Sequence, residues 1–188
     1  MPKRPRPPKP TLVLFVRHGQ TPTTGAVLPG RARGLRLADT GREQARAAAE
    51  RIATVKGVTA VYASPLERTR ETAAPIAAAL GLKVVVERGL LECDFGDWTG
   101  AELRALRKLP EWDTVQRYPS GFRFPGGESF AEMQTRMTGA VAALVARLPG
   151  EVVVAVSHAD PIKAALAQAM GSGLGLFQRI VVLPCSVS

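Results

Sequence analysis

Two apolar runs, Leu12 to Val16 (LVLFV) and Val152 to Val156 (VVVAV), lack polar alternation and end abruptly on polar residues, Arg17-His18-Gly19 and Ser157-His158. Such runs predict strands buried on both faces, as in a parallel sheet packed between helices. Val58 to Ala63 (VTAVYA) and Lys83 to Glu87 predict two further strands, and Ile180 to Leu183 starts a last one, an edge strand or the shortened end of the chain. Capping boxes at Thr40/Glu43, Ser64/Glu67, Thr99/Glu102 and Ser129/Glu132 predict helices to about Ala53, Leu80, Lys108 and Leu148. Pro65 falls at the first helical position of the second, and Pro149-Gly150 breaks the fourth. A last helix runs from Pro161 to about Met170, closed by Gly171. Pro22 to Ala38 reads as a loop able to fold over the mouth of a site. Pro110 to Pro125 reads as irregular, with Trp112, Tyr118, Phe122 and Phe124 closing over one sheet edge.

Strands alternating with helices predict a mainly parallel sheet with right-handed crossovers. At 188 residues one domain is expected, over 11–188, preceded by a basic, proline-rich, disordered arm over 1–10. Hydrophobic residues make up 46% and charged residues 22%, and no apolar run reaches the roughly 18 residues of a membrane helix. The N-terminus lacks the apolar stretch and cleavage site of a secretory signal, so the expected location is cytoplasmic. Cys93 and Cys185 fit no disulfide framework or zinc spacing and read as reduced thiols.

The net charge of +9 raises the question of nucleic acid. However, Lys3, Arg4, Arg6 and Lys9 lie in the arm, and the other arginines are mostly dispersed among Ala and Glu. An anionic small molecule accounts for a few focused arginines equally well, and nucleic acid is the lesser reading.

Carboxyl ends of parallel strands lie on one side of a sheet, where ligands bind. Arg17, His18 and His158 stand at such ends, and Arg68 follows the second strand in a first helical turn, where the helix's positive pole also favours an anion. Two arginines and two histidines suit a phosphoryl group, whose oxygens accept bidentate guanidinium bonds. A neutral imidazole can attack phosphorus directly, with no metal or cofactor, and a carboxylic acid then protonates the leaving oxygen. Glu92 is the candidate acid, with Asp94 and Asp97 as alternatives, and Gly19 is expected to let the backbone turn closely around a bound phosphate.

These residues resemble the histidine phosphatase superfamily, also called phosphoglycerate mutase-like, from Thr11 to Ser188. Its RHG signature resembles Arg17-His18-Gly19, its second block SPLERTRETA, its acid block LLECDFGDWTG, and its second histidine block VSHADPI; PGGES resembles the loop before its long helix. The resemblance implies a three-layer α/β/α sandwich with a mainly parallel, mixed central sheet. It implies that His18 is the nucleophile, that Arg17, Arg68 and His158 bind phosphate, and that Glu92 is the acid and later the base. Phosphate contacts from Thr24 and the backbone of Ala159 also follow from it. Two departures stand out. Thr24 replaces the Asn of many relatives, and Ala159-Asp160 replaces a common glycine pair, putting a carboxylate near the pocket that disfavours some phosphates or binds a substrate hydroxyl or amine.

The short segment after Gly100 favours phosphomonoester hydrolysis over phosphoglycerate mutase-type transfer; a non-catalytic phospho-ligand-binding module is a third reading. The expected partners are a small phosphorylated metabolite and inorganic phosphate, for a monomer or homodimer away from membranes. Arg31, Arg33 and Arg36 in the first loop suggest an acidic substrate or one with a second phosphate.

Overall fold

The computed structural model describes residues 9–188, and all but Lys9 and Pro10 of the expected arm lies outside them. Four strands, β1 (Leu12–Arg17), β2 (Val58–Ala63), β3 (Val84–Val86) and β4 (Val152–Ser157), form one sheet in the order β1-β4-β2-β3. Every pairing is parallel. The antiparallel component expected of a mixed sheet is confined, among the described residues, to isolated bridges such as Val16 with Val187.

Side-chain alternation along each strand separates two cores. Val16, Val61, Ala63, Val154 and Val156 face Ala49 and Ile52 of α1 (Asp39–Ala53) and Ala73, Ile76 and Ala77 of α2 (Glu67–Ala79). Their neighbours Phe15, Tyr62 and Ala155 face the opposite way, onto Met137 and Leu144 of α5 (Phe130–Arg147) and Ile162 and Ala165 of α6 (Ala159–Ala169). The result is a helix–sheet–helix sandwich. A third cluster is aromatic: Phe95, Trp98, Phe122, Phe124 and Phe130 pack with Phe177 beside the sheet. Their rings meet mostly edge to face, with Phe124 centroids 4.8 Å from Phe95 and 5.1 Å from Phe130.

Several expected boundaries move, for identifiable reasons. Only the Ser129/Glu132 capping box forms, each side chain accepting from the other's backbone amide. α2 starts at Glu67 with Leu66 at its cap, because the Ser64 hydroxyl is engaged by His158 instead. α1 starts at Asp39 with Ala38 at its cap, held by a hydrogen bond from its amide to the Gln20 carbonyl, so Thr40 is already inside the helix. The short helix expected after Thr99 is α3 (Leu103–Leu106), with Glu102 at its cap, and the segment expected to be irregular from Pro110 holds α4 (Pro110–Arg117), with the proline at its first position. Phe122 and Phe124 are buried there as expected, whereas Tyr118 is exposed. α6 starts two residues earlier than expected, directly after His158. Ile180 to Leu183 is not a strand; the chain turns just after it, at Pro184-Cys185, and Ser188 instead exchanges backbone hydrogen bonds with Phe15 along the free edge of β1.

Candidate active site

Strand register brings the polar residues together. Arg17 pairs with Ser157 across β1 and β4, and Ala63 pairs with Val156 across β2 and β4, so His18, His158 and Ser64 emerge side by side at the carboxyl edge. The His18 and His158 rings meet edge to face with centroids 5.3 Å apart, close to the spacing of adjacent strands. Arg68, from the first turn of α2, is completely buried in the same region. Its Nη2 donates to the Gly30 carbonyl at 2.7 Å, while its Nε and Nη1 have no hydrogen-bond partner among the described residues. Arg17 donates through Nη1 to the Val182 carbonyl at 2.7 Å and also leaves its Nε unpartnered. Buried guanidinium donors without acceptors are costly, so these atoms are suited to an anion arriving from solution.

His18 is buried, and its Nδ1 lies 2.7 Å from the Gly19 carbonyl. Burial, then the Arg68 guanidinium and more weakly that of Arg17, push its pKa down to about 3, against a small opposing effect of the Gly19 carbonyl. The imidazole is therefore neutral near pH 7. His158 is held well below the ordinary histidine value by burial, with Arg68 and His18 adding to the effect. Its Nε2 lies 2.9 Å from Ser64 Oγ, and its Nδ1 lies 4.0 Å from Glu92 Oε2.

Glu92 is buried beside these groups, its Oε1 accepting from the Cys93 amide at 2.9 Å. Burial raises its pKa to about 7 and Asp160 adds to the rise, while Arg68, the Cys93 amide and Arg17 oppose it. Near neutrality the carboxyl is thus present in both protonation states. The loop bearing it is clamped from behind. Arg136 on α5 donates to the Gly89, Leu91 and Glu92 carbonyls and, through Nε and Nη2, to the Glu128 carboxylate. Arg31 donates to the Glu92 carbonyl at 2.9 Å and pairs with Glu128 at 2.7 Å. Gly96 and Gly127 complete the clamp: a Cβ on Gly96 would lie 2.0 Å from the Pro125 carbonyl, and one on Gly127 2.3 Å from that of Asp94.

Gly19 has a different reason from the one expected. Its φ is not positive, and a Cβ there would lie 2.5 Å from the Gly41 carbonyl on α1. The missing side chain makes room for a helix rather than for a ligand. Thr24 lines the cavity, but its hydroxyl already accepts from the Thr21 amide at 2.8 Å.

These residues open into a cavity of about 390 Å³, with Arg17, His18, Glu92, Ala159 and Asp160 among its lining and His158 and Arg68 packed beneath. Among the described residues, no group of three or more His, Cys, Asp or Glu side chains is arranged to hold a metal ion.

The sequence profile of the Histidine phosphatase superfamily (branch 1) matches residues 13–188. The chain belongs to the histidine phosphatase superfamily. Among its curated relatives in that superfamily is a bifunctional protein of Mycobacterium tuberculosis, 36% identical over 178 residues, an overlap covering 91% of this chain and 47% of that protein. The chain thus spans about half the length of the first such relatives. Phosphoserine phosphatase 1 of Hydrogenobacter thermophilus is 30% identical over 178 residues, covering 88% of this chain and 79% of that one. Among solved structures, mycobacterial glucosyl-3-phosphoglycerate phosphatase superposes with a TM-score of 0.82 at 28% identity, covering 93% of this chain and 87% of that one.

In this histidine phosphatase superfamily member, the outer wall is what the sequence leaves unassigned. Arg31 and Arg36 do not face the cavity: the first clamps the Glu92 loop and the second pairs with Glu71. Arg33 is exposed and likewise absent from the lining. The cavity's outer polar groups are instead Arg107, Gln116, Asp160, Lys163 and Gln178, beside apolar Leu28, Trp112 and Val115. Of these, Asp160 lies within the second histidine block and Lys163 directly follows it, whereas Arg107, Gln116 and Gln178 belong to none of the blocks that carry the resemblance.

Proposed function

We propose that the chain is a phosphomonoesterase acting through a phosphohistidine, with its charge stabilisation supplied by its own guanidinium and imidazole groups rather than a metal. The observation that carries this reading is the pairing of a neutral His18, whose Nδ1 is engaged by the Gly19 carbonyl, with buried guanidinium donors on Arg17 and Arg68 that lack acceptors. With the proton held at Nδ1, the lone pair at Nε2 is available for attack.

Arg17, Arg68 and His158 bind the phosphoryl oxygens, with the Ala159 amide at the start of α6 as a further donor. Nε2 of His18 forms a bond to phosphorus as the ester P–O bond breaks, and Glu92 gives its proton to the departing alkoxide. The Glu92 carboxylate then takes a proton from water, whose oxygen attacks phosphorus. The P–N bond breaks, and phosphate and neutral His18 are regenerated. Thr24 orders the adjoining turn by accepting from the Thr21 amide, and its hydroxyl, which lines the cavity, keeps a hydrogen to donate toward phosphate. The phosphatase names carried by similar proteins support hydrolysis, and the two free cysteines fit a reducing, cytoplasmic setting.

The test is hydrolysis of p-nitrophenyl phosphate with EDTA present, by wild type and His18→Ala. Wild type is expected to turn over and to form an acid-labile phosphoenzyme, and the variant to do neither. Loss of wild-type turnover on chelation, or full turnover by His18→Ala, would sink the reading.

A further inference from the structure

The first two turns of α6 present Asp160 and Lys163 to the cavity, joined at 3.2 Å, and Lys163 also reaches Gln178 Oε1 at 3.1 Å. All three line the same cavity as His18 and Glu92. The Asp160 and Lys163 side chains are only 18% and 16% exposed, so neither is a freely solvated surface charge. We propose that Asp160, Lys163 and Gln178 form the leaving-group subsite, and that it takes a hydroxylated, uncharged alcohol, so that the substrate is a sugar phosphate rather than the phosphate of a carboxylic or amino acid.

The inference rests on the phosphatase reading and adds the substrate class to it. A carboxylate in the cavity only accepts hydrogen bonds, so a second acidic group on the substrate cannot bond it, and with Lys163 already committed to Asp160 and Gln178 that group gains little net attraction there. An ammonium group gains little there, because Lys163 already neutralises Asp160 and would itself repel the newcomer. A hydroxyl both donates and accepts, so it can donate to the Asp160 carboxylate and accept a hydrogen bond from Lys163 or from the Gln178 amide at once. Arg107, the remaining outer cation, is exposed at the mouth, where water and salt screen it. Trp112, which lies 25° from parallel to the buried Trp98, lines the same cavity and adds aromatic surface for a ring to pack on.

The test compares kcat/KM for glucose 6-phosphate, glycerol 3-phosphate, 3-phosphoglycerate and phosphoserine in wild type, Asp160→Ala and Asp160→Asn, with p-nitrophenyl phosphate as the control. All four metabolites release alkoxides, so an effect of the substitution on Glu92 largely cancels in their ratios. Glucose 6-phosphate is expected to exceed 3-phosphoglycerate and phosphoserine by at least about tenfold, the order of one net hydrogen bond. Asp160→Ala is expected to erase most of that ratio, and Asp160→Asn, which keeps an acceptor oxygen, to retain part of it. Glycerol 3-phosphate hydrolysed as well as the hexose would replace the sugar with an acyclic polyol. Equal or better hydrolysis of either acid, or a ratio unmoved by Asp160→Ala, would overturn the subsite while leaving the phosphatase reading standing if p-nitrophenyl phosphate is cleaved. If wild type cleaves none of the five, both fall.

Discussion

The Gly19 carbonyl sits 2.7 Å from Nδ1 of His18, and this contact decides which imidazole nitrogen is left for chemistry. A carbonyl oxygen can only accept, so the proton resides on Nδ1 and the lone pair on Nε2. Nitrogen-15 NMR at pH 7 is expected to report a neutral His18 protonated at Nδ1, with no titration between pH 5 and 8, since its pKa lies at about 3. Phosphoenzyme trapped by rapid denaturation should carry phosphate on Nε2. Phosphate on Nδ1 would contradict the tautomer.

Glu92 predicts an alkaline limb in the rate. Its pKa is raised to about 7, so the carboxyl stays protonated below that pH and can serve as an acid, and the protonated fraction falls about tenfold per unit above it. For an alkyl phosphate, kcat/KM should therefore decline above about pH 7. For p-nitrophenyl phosphate, whose leaving group departs without a proton, the decline should be far weaker. Glu92→Gln should lower kcat/KM for the alkyl ester by about 10²- to 10⁴-fold and abolish the limb. An identical limb for both esters would locate the ionisation elsewhere.

Arg136 serves the site from behind. Its guanidinium bonds three carbonyls of the acid loop and both oxygens of Glu128. Arg136→Met keeps most of the apolar stem but leaves the half-buried Glu128 with Arg31 as its remaining cation and three carbonyls without their donor, at a cost of about 2 kcal/mol. The melting temperature should fall, and kcat for alkyl esters should fall more than kcat for p-nitrophenyl phosphate, because it is Glu92 that loses its footing. Equal losses for both esters would indicate a general loosening instead.

The sheet and the residues at its carboxyl edge were legible because buried strands announce themselves. LVLFV and VVVAV have no polar alternation, and what ends them, His18 and His158, had to meet once both strands were parallel neighbours. Helix starts were less legible. Ser64 has the spacing of a cap, but a hydroxyl serves a nearby imidazole as readily as a backbone amide, and only the tertiary structure decides between them. The Pro110 to Pro125 segment hid α4 behind its prolines, although one of them occupies the position where a helix tolerates it. The outer wall was out of reach for a different reason. Arg31 and Arg107 look alike in sequence, and what separates a clamp from a cavity residue is the position of Glu128, far along the chain.

Trp112 and Val115 stand apart from His18 in the fold. The imidazole directly follows β1, and the acid loop is tied to α5 through Arg136 and to β4 through the Ser157 hydroxyl on the Leu90 carbonyl, whereas Trp112 and Val115 pack with the cluster of Phe95, Trp98, Phe122 and Phe124. Substitutions at Trp112 or Val115 can change which alcohol departs without reshaping the cradle of Arg17, Arg68 and His158, so one phosphate-handling frame can be retuned to new esters through a part of the molecule that never touches phosphorus.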